Sequence, residues 1–136
     1  MTKKVDFTKY ADFVDGVTSD PSKDYQCFIE SISSLNGKGA NIERLLTAAV
    51  GISAEGGEFM EIVKKMVFKG KPWDEHNRKH LIIELGDVMW YVMKACKALD
   101  VSLDEVVEGN VDKLKKRYPG GDFDVHYSEN RKEGDR

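Results

Sequence analysis

Residues 41–69 read NIERLLTAAVGISAEGGEFMEIVKKMVFK and decide the fold class of this chain. Apolar residues recur in this stretch at steps of three and four, which is the period of an amphipathic α-helix. They are Leu45, Ala48, Ala49, Ile52, Phe59, Ile62, Val63 and Met66. The turn-forming residues Gly70-Lys71-Pro72-Trp73 come next, so we expect one long helix over 41–69.

Two further helices are expected after the long one. Asp74 can cap a helix over 75–99, whose apolar stripe is Leu81, Leu85, Val88, Val92, Ala95 and Leu99. Ser102 and Glu105 have the Ser-x-x-Glu spacing of a capping box, which predicts a third helix from 103 to Pro119. Weaker helical segments precede these at 6–15 and 22–36. No segment alternates long enough to predict a strand, so the fold class is all-α, a helical bundle.

The length of 136 residues suits one domain. We place this domain at 1–123. Residues 124–136 are almost wholly polar and show no apolar period, which is typical of a tail that is disordered or is ordered only by a ligand.

Charge and hydropathy exclude several classes of protein. The 21 Lys+Arg against 24 Asp+Glu give a net charge of 21 − 24 = −3, which supplies no cationic field for nucleic acid or an anionic membrane. The chain has no apolar run long enough for a membrane span and does not start like a signal peptide, so a cytoplasmic location is expected. Cys27 and Cys96 lie far apart and are expected to be free thiols.

Carboxylates occupy positions where apolar residues belong. In a helical projection Glu55 falls inside the apolar arc of the first helix and Glu58 at its edge, while Glu84 and Asp87 border the apolar stripe of the next. Each pair is spaced three apart and faces one direction. Two carboxylates 4 Å apart repel by about 4 kcal/mol at an effective dielectric of 20, so four in one site need compensation. An all-oxygen site of this charge suits Mg²⁺ or Mn²⁺.

Glycines accompany these acids. Gly51, Gly56, Gly57 and Gly86 all fall within predicted helices, where each costs about 1 kcal/mol relative to Ala. Close approach of two helices would explain this cost.

The third helix carries an amide and two cations on or beside its apolar side. Arg117 falls within the apolar arc, Lys113 at its edge, and Asn110 between Val106 and Val107. Lys115 and Lys116 face outward and are expected to be solvated. Three consecutive helices therefore offer polar groups to a shared interior.

Other interpretations are open for several of these residues. A Glu-x-x-Glu pair alone is usually a solvated helix face, and His76 and His80 are expected to be surface residues because no third zinc ligand lies at a suitable spacing. A di-iron carboxylate protein would normally add Glu-x-x-His motifs, whereas Glu58 and Glu84 are followed three residues on by Glu61 and Asp87. A non-enzymatic helical module that binds nucleotides would have the same sequence pattern.

Three segments in order resemble a known family. Glu55-Gly56-Gly57-Glu58, Glu84-Leu85-Gly86-Asp87 and the helix from Asn110 to Pro119 are similar to the motifs of the all-α nucleoside triphosphate pyrophosphohydrolases, the MazG-like group. Lys64-Lys65 also fits, and the likeness covers about 45–120. The compact form resembles MazG-like proteins carried by bacteriophages, whose location would be the host cytoplasm.

This resemblance implies hydrolysis of a (deoxy)nucleoside triphosphate between the α and β phosphates, which releases a nucleoside monophosphate and pyrophosphate. It implies Mg²⁺ as cofactor, with Mn²⁺ as a substitute, and assembly as a homodimer or homotetramer. By position, the metal ligands would be Glu55, Glu58, Glu84 and Asp87, and Glu55 or Glu58 would also orient or deprotonate the attacking water. Phosphates would contact Lys65, Asn110, Lys113 and Arg117, and Tyr91 would line the nucleoside pocket.

Overall fold

A computed structural model describes residues 3–135, and the regular structure of this part is helical, without strands. The chain forms two compact units, Met1–Ile42 and Glu43–Arg136. The predicted all-α class is therefore confirmed. The domain boundaries expected from composition, 1–123 and 124–136, stay a prediction.

The first unit contains α1 (Phe7–Gly16), a 3₁₀ turn (Asp20–Ser22) and α2 (Tyr25–Gly37). Asp6 caps α1 by accepting hydrogen bonds from the backbone N–H groups of Thr8 and Lys9, both at 3.1 Å. Pro21 helps to open the 3₁₀ turn, and Asp24 caps α2 by accepting from the Cys27 backbone N–H at 2.8 Å. The second helix thus begins at Tyr25, three residues after the predicted start at 22, because its cap is Asp24.

The second unit contains α3 (Ile42–Lys69) from its second residue onward, α4 (Glu75–Leu99), α5 (Leu103–Arg117) and α6 (Val125–Glu129). The three long helices lie where the apolar periods predict them. Asp74 caps α4 by accepting from the Asn77 backbone N–H at 2.8 Å, and Ser102 caps α5 by accepting from the Glu105 backbone N–H at 3.1 Å. These caps agree with the predicted helix starts.

Contacts between α3 and α4 show that the two helices run antiparallel. Gly51 lies against the ring of Tyr91, Glu55 lies near Glu84 and Asp87, and Phe59 shares a small cavity with Leu81 and Leu85. The residue numbers of the contacting positions decrease along α4 as they increase along α3, which is the arrangement of a helical hairpin. The turn is fixed by the buried side chain of Asn77, whose Nδ2 donates to the Pro72 carbonyl at 2.7 Å.

The buried core of the described residues is small. Its apolar members are Ala48, Ile62 and Cys96. Two members of the predicted α4 stripe, Leu85 and Leu99, are 54% and 58% exposed. A large apolar surface therefore faces solvent in the single chain. Over residues 3–135, no helix is long and apolar enough to cross a membrane.

The segment after Phe123 contains more regular structure than its composition indicates. Asp124 caps the short helix α6 by accepting from the His126 backbone N–H at 2.8 Å. Further along, Asp135 pairs with Arg117 at the end of α5. Whether a ligand changes this segment stays a prediction.

Candidate active site

Three carboxylates from two helices meet in the second unit. Glu55 on α3 and Glu84 and Asp87 on α4 each offer an oxygen, and these oxygens lie within 4.8 Å of one another. We call these three residues the acidic cluster. Glu84 is 9% exposed, Glu55 is half-buried and Asp87 is exposed, so the cluster is accessible from one side.

Burial and the neighbouring carboxylates both affect the pKa of Glu55. Partial burial raises the pKa of the Glu55 carboxyl, and the negative charges of Asp87, Glu84 and Glu58 raise this pKa further. Without a counter-charge, the ionised form of Glu55 is therefore disfavoured. The positive charge of a bound cation would oppose both causes, because it favours the ionised carboxylate.

The geometry of the acidic cluster fits a divalent cation. Oxygen ligands lie about 2.0–2.6 Å from Mg²⁺ or Ca²⁺, so two oxygens on one ion are at most about 4–5 Å apart. The oxygens of the acidic cluster, which lie within 4.8 Å of one another, are close to this limit. The donor set is purely carboxylate, which suits a hard cation such as Mg²⁺ or Mn²⁺.

Glu58 lies one turn beyond Glu55 and is exposed. Its charge acts on Glu55, although Glu58 does not belong to the three-residue group whose oxygens lie within 4.8 Å. The structure thus brings together three of the four predicted ligands.

His80 is a neighbour of the acidic cluster that the sequence interpretation missed. Its Nε2 lies 3.0 Å from Oε1 of Glu84, one helical turn along α4. The His80 side chain is 42% exposed, so the expectation of a surface residue holds only in part. The four-residue spacing between His80 and Glu84 was the signal in the sequence that pointed to this contact.

Tyr91 packs against Gly51 at a close approach of α3 and α4. A Cβ on Gly51 would lie 2.1–2.3 Å from three atoms of the Tyr91 ring, so no side chain fits there. Lys94 lies over the same ring, with Nζ 5.5 Å from its centroid. The prediction that glycines mark close helix approach is therefore correct for Gly51. It is wrong within this chain for Gly56, Gly57 and Gly86, which all face open space.

The predicted phosphate ligands lie in different surroundings. Lys65 pairs with Glu61 at 3.5 Å on the same helix, and Asn110 is exposed on α5. Lys113 and Arg117 line a cavity of about 430 Å³ between α5 and residues 132–135. The lining of this cavity contains no member of the acidic cluster, so a single site that joins both groups stays a prediction.

Comparison with known proteins identifies the family. The sequence profile of the MazG nucleotide pyrophosphohydrolase domain matches residues 44–121. This match covers more than half of the chain. The chain belongs to the MazG family. The MazG domain spans α3, α4 and α5 and therefore includes the acidic cluster, Glu58 and Arg117.

A phage protein is similar to this MazG protein. The Gene 37 protein of Mycobacterium phage L5 is 40% identical over 82 residues, which cover 60% of this chain and 72% of the phage protein. This likeness supports the compact phage-type form. No solved structure matches the chain significantly.

Proposed function

We propose that this MazG-family protein hydrolyses (deoxy)nucleoside triphosphates between the α and β phosphates, releasing a nucleoside monophosphate and pyrophosphate. Family membership supports nucleotide pyrophosphohydrolysis in general. The observation that carries the more specific proposal is the acidic cluster, in which two helices of the MazG domain bring three carboxylates within 4.8 Å. Clustered carboxylates of this kind suit Mg²⁺-assisted attack on a phosphate.

In this proposal, Glu55, Glu84 and Asp87 hold Mg²⁺, for which Mn²⁺ can substitute, and Glu58 completes the ligand set. When bound, the cation would supply positive charge against the phosphates and would lower the pKa of a water nucleophile. Glu55 or Glu58 orients this water or accepts its proton. Glu58 is exposed and lies one helical turn from Glu55, and its charge acts on Glu55, which supports a role for Glu58 beside the acidic cluster.

Cationic and amide side chains bind the triphosphate. The guanidinium of Arg117 can donate two parallel hydrogen bonds to one phosphate, whereas Lys113 and Lys65 act as point charges. Asn110 adds an amide donor. Tyr91, which is half-buried over Gly51, lines the nucleoside pocket.

Product analysis tests the reaction. The purified protein is incubated with each of the eight common nucleoside and deoxynucleoside triphosphates in the presence of Mg²⁺, and the products are separated by ion-exchange chromatography. We expect monophosphate and pyrophosphate in equal amounts. Diphosphate and orthophosphate would contradict the proposed bond, and binding without turnover would favour the non-enzymatic alternative.

We expect His80→Ala to weaken Mn²⁺ binding by about tenfold, because hydrogen bonds to metal ligands typically contribute 10–100-fold in affinity. His80 bonds Glu84 at 3.0 Å and so restricts its rotamers. Mn²⁺ electron paramagnetic resonance measures the free ion directly. His76→Ala is the matched control, and equal affinities of the two variants would show that the His80 contact does not position Glu84.

Self-association as a homodimer or homotetramer is part of the same proposal. The exposed apolar side chains on α3 and α4 include Val67, Phe68, Ile83 and Leu85, and apolar surfaces of this extent usually mark interfaces. Light scattering coupled to size-exclusion chromatography measures the mass. A mass of 15.4 kDa, that of one chain, at all concentrations would refute this part.

A further inference from the structure

An ion pair connects the end of the MazG domain to the last residues that the structure describes. The Nε and one terminal nitrogen of Arg117 donate to the two carboxylate oxygens of Asp135 at 2.7 and 2.6 Å. The two side chains are 11% and 10% exposed. This is a two-point contact between a planar guanidinium and a carboxylate, the strong geometry for such a pair.

The pair closes one side of the cavity between α5 and residues 132–135. Lys113, Lys116 and Lys132 also line this cavity, so cations from both α5 and the C-terminal segment face the same volume. Its volume of about 430 Å³ lies in the range of small-ligand sites. The carboxylates of Asp112, Glu133 and Asp135 share this lining. Four cations therefore face three acids, and displacement of Asp135 would leave a lining with excess positive charge, which favours an anion as ligand.

Both partners are held in their charged forms. The hydrogen bond to Arg117 lowers the pKa of the Asp135 carboxyl, and the charges of Arg117 and Lys113 lower it further. The same hydrogen bond raises the pKa of the Arg117 guanidinium. The contact therefore stays ionised at neutral pH.

A carboxylate in this position uses the donors that a phosphate would use. The fork of Arg117 matches carboxylate and phosphate oxygens alike, and it cannot bind both in the same two-point geometry. Asp135 also lies outside the segment that matches the MazG profile, residues 44–121. The match to the MazG profile therefore does not extend to the Asp135 side of this contact.

We propose that Asp135 is an internal competitor for phosphoryl anions, which occupies Arg117 in the free protein and is displaced when a phosphate or pyrophosphate group enters the cavity. This inference rests on the proposed function in one respect, namely that Arg117 binds phosphates. In the displaced state, residues 130–135 lose their anchor on α5. Lys132 moves with them, so the cationic lining of the cavity also changes.

The test measures binding of inorganic pyrophosphate to the full chain by calorimetry, without turnover. Apparent affinity is reduced in proportion to the fraction of molecules in the competent state. If the Arg117–Asp135 pair is formed in about nine-tenths of the free molecules, Asp135→Asn is expected to bind pyrophosphate about tenfold more tightly than the unaltered protein. Glu133→Gln, which removes the same charge from the same cavity lining, is the matched control and changes affinity much less.

Two results would overturn the inference. One is an Asp135→Asn affinity equal to or weaker than that of Glu133→Gln. The other is amide hydrogen exchange over 130–135 that does not accelerate when pyrophosphate is added to the unaltered protein. In a protein that already carries Arg117→Ala, Asp135→Asn should have no effect on pyrophosphate binding, because the guanidinium with which Asp135 pairs is absent.

Failure of this inference and failure of the proposed function give different results. Tighter pyrophosphate binding by Asp135→Asn in a protein that does not hydrolyse nucleotides would support the competitor and refute the enzyme. Normal hydrolysis with no difference between Asp135→Asn and Glu133→Gln would support the enzyme and refute the competitor. If both hold, Asp135→Asn also lowers KM for the nucleotide by the same factor.

Discussion

Glu55→Gln is expected to lower kcat by about two to four orders of magnitude while the protein stays folded. Glu55 is the α3 member of the acidic cluster, so its loss leaves α4 alone to hold the cation. Folding should be maintained, because Gln has the same shape and the metal-free cluster disfavours a charge at this position, as the raised pKa of Glu55 shows. Steady-state kinetics at saturating Mg²⁺, with circular dichroism on the same samples, measures both effects.

Two further variants make this test specific. Glu61→Gln removes a carboxylate from the same helix, but Glu61 pairs with Lys64 and Lys65, so its kcat should stay close to that of the unaltered protein. Glu58→Gln tests the fourth predicted ligand and should also lose turnover by orders of magnitude. If Glu55→Gln retained full kcat, the acidic cluster would have no part in catalysis. If Glu58→Gln alone retained full kcat, Glu58 would be neither a metal ligand nor the general base.

Gly51→Ala is expected to lower the free energy of unfolding, although alanine is the better helix former. The added Cβ would lie 2.3 Å from Cγ of Tyr91 and 2.1 Å from Cδ1. Because Cγ is at the base of the side chain, rotation of the ring tip cannot relieve the overlap, so the helices must separate or Tyr91 must change rotamer. Overpacking of this kind costs about 1–3 kcal/mol, against a gain of about 1 kcal/mol in helix propensity. Chemical denaturation measures the difference.

Gly56→Ala is the matched control for this prediction. Gly56 lies on the same helix, but a Cβ there would meet nothing within 4 Å, so the substitution should stabilise the protein by about 1 kcal/mol. The sign of the effect thus differs between two glycines five residues apart. A stabilised Gly51→Ala would mean that α3 and α4 do not approach as described. In addition, Gly51→Ala should raise KM for the nucleotide, because displacement of Tyr91 alters the proposed nucleoside pocket.

Local rules were sufficient to predict the three long helices. The apolar period and the capping residues Asp74 and Ser102 depend only on residues close by in the sequence. The helices α3, α4 and α5 therefore lie where the sequence predicts them. The acidic cluster was also predictable, because Glu55, Glu84 and Asp87 interrupt or border apolar stripes that must face another helix.

Features that depend on distant contacts could not be predicted. Arg117 and Asp135 are 18 residues apart, and no periodic pattern connects them, so the polar segment 124–136 gave no sign of this contact. The sequence does not distinguish a glycine that an aromatic ring covers, such as Gly51, from one that faces solvent, such as Gly56. The exposed positions Leu85 and Leu99 belong to a stripe that the sequence marks as apolar, but the sequence does not say which surface covers it.

Direct titration with Mn²⁺, followed by electron paramagnetic resonance, is the most direct test of the claim that the acidic cluster binds a divalent cation. Glu84→Gln removes the least exposed carboxylate of the cluster, and Glu75→Gln, which removes an acid paired with Arg78 on the same helix, is the control. We predict that Glu84→Gln weakens Mn²⁺ binding beyond the roughly tenfold effect expected for a neighbouring hydrogen bond, while Glu75→Gln leaves it unchanged. Equal Mn²⁺ affinity in all three proteins would contradict the account.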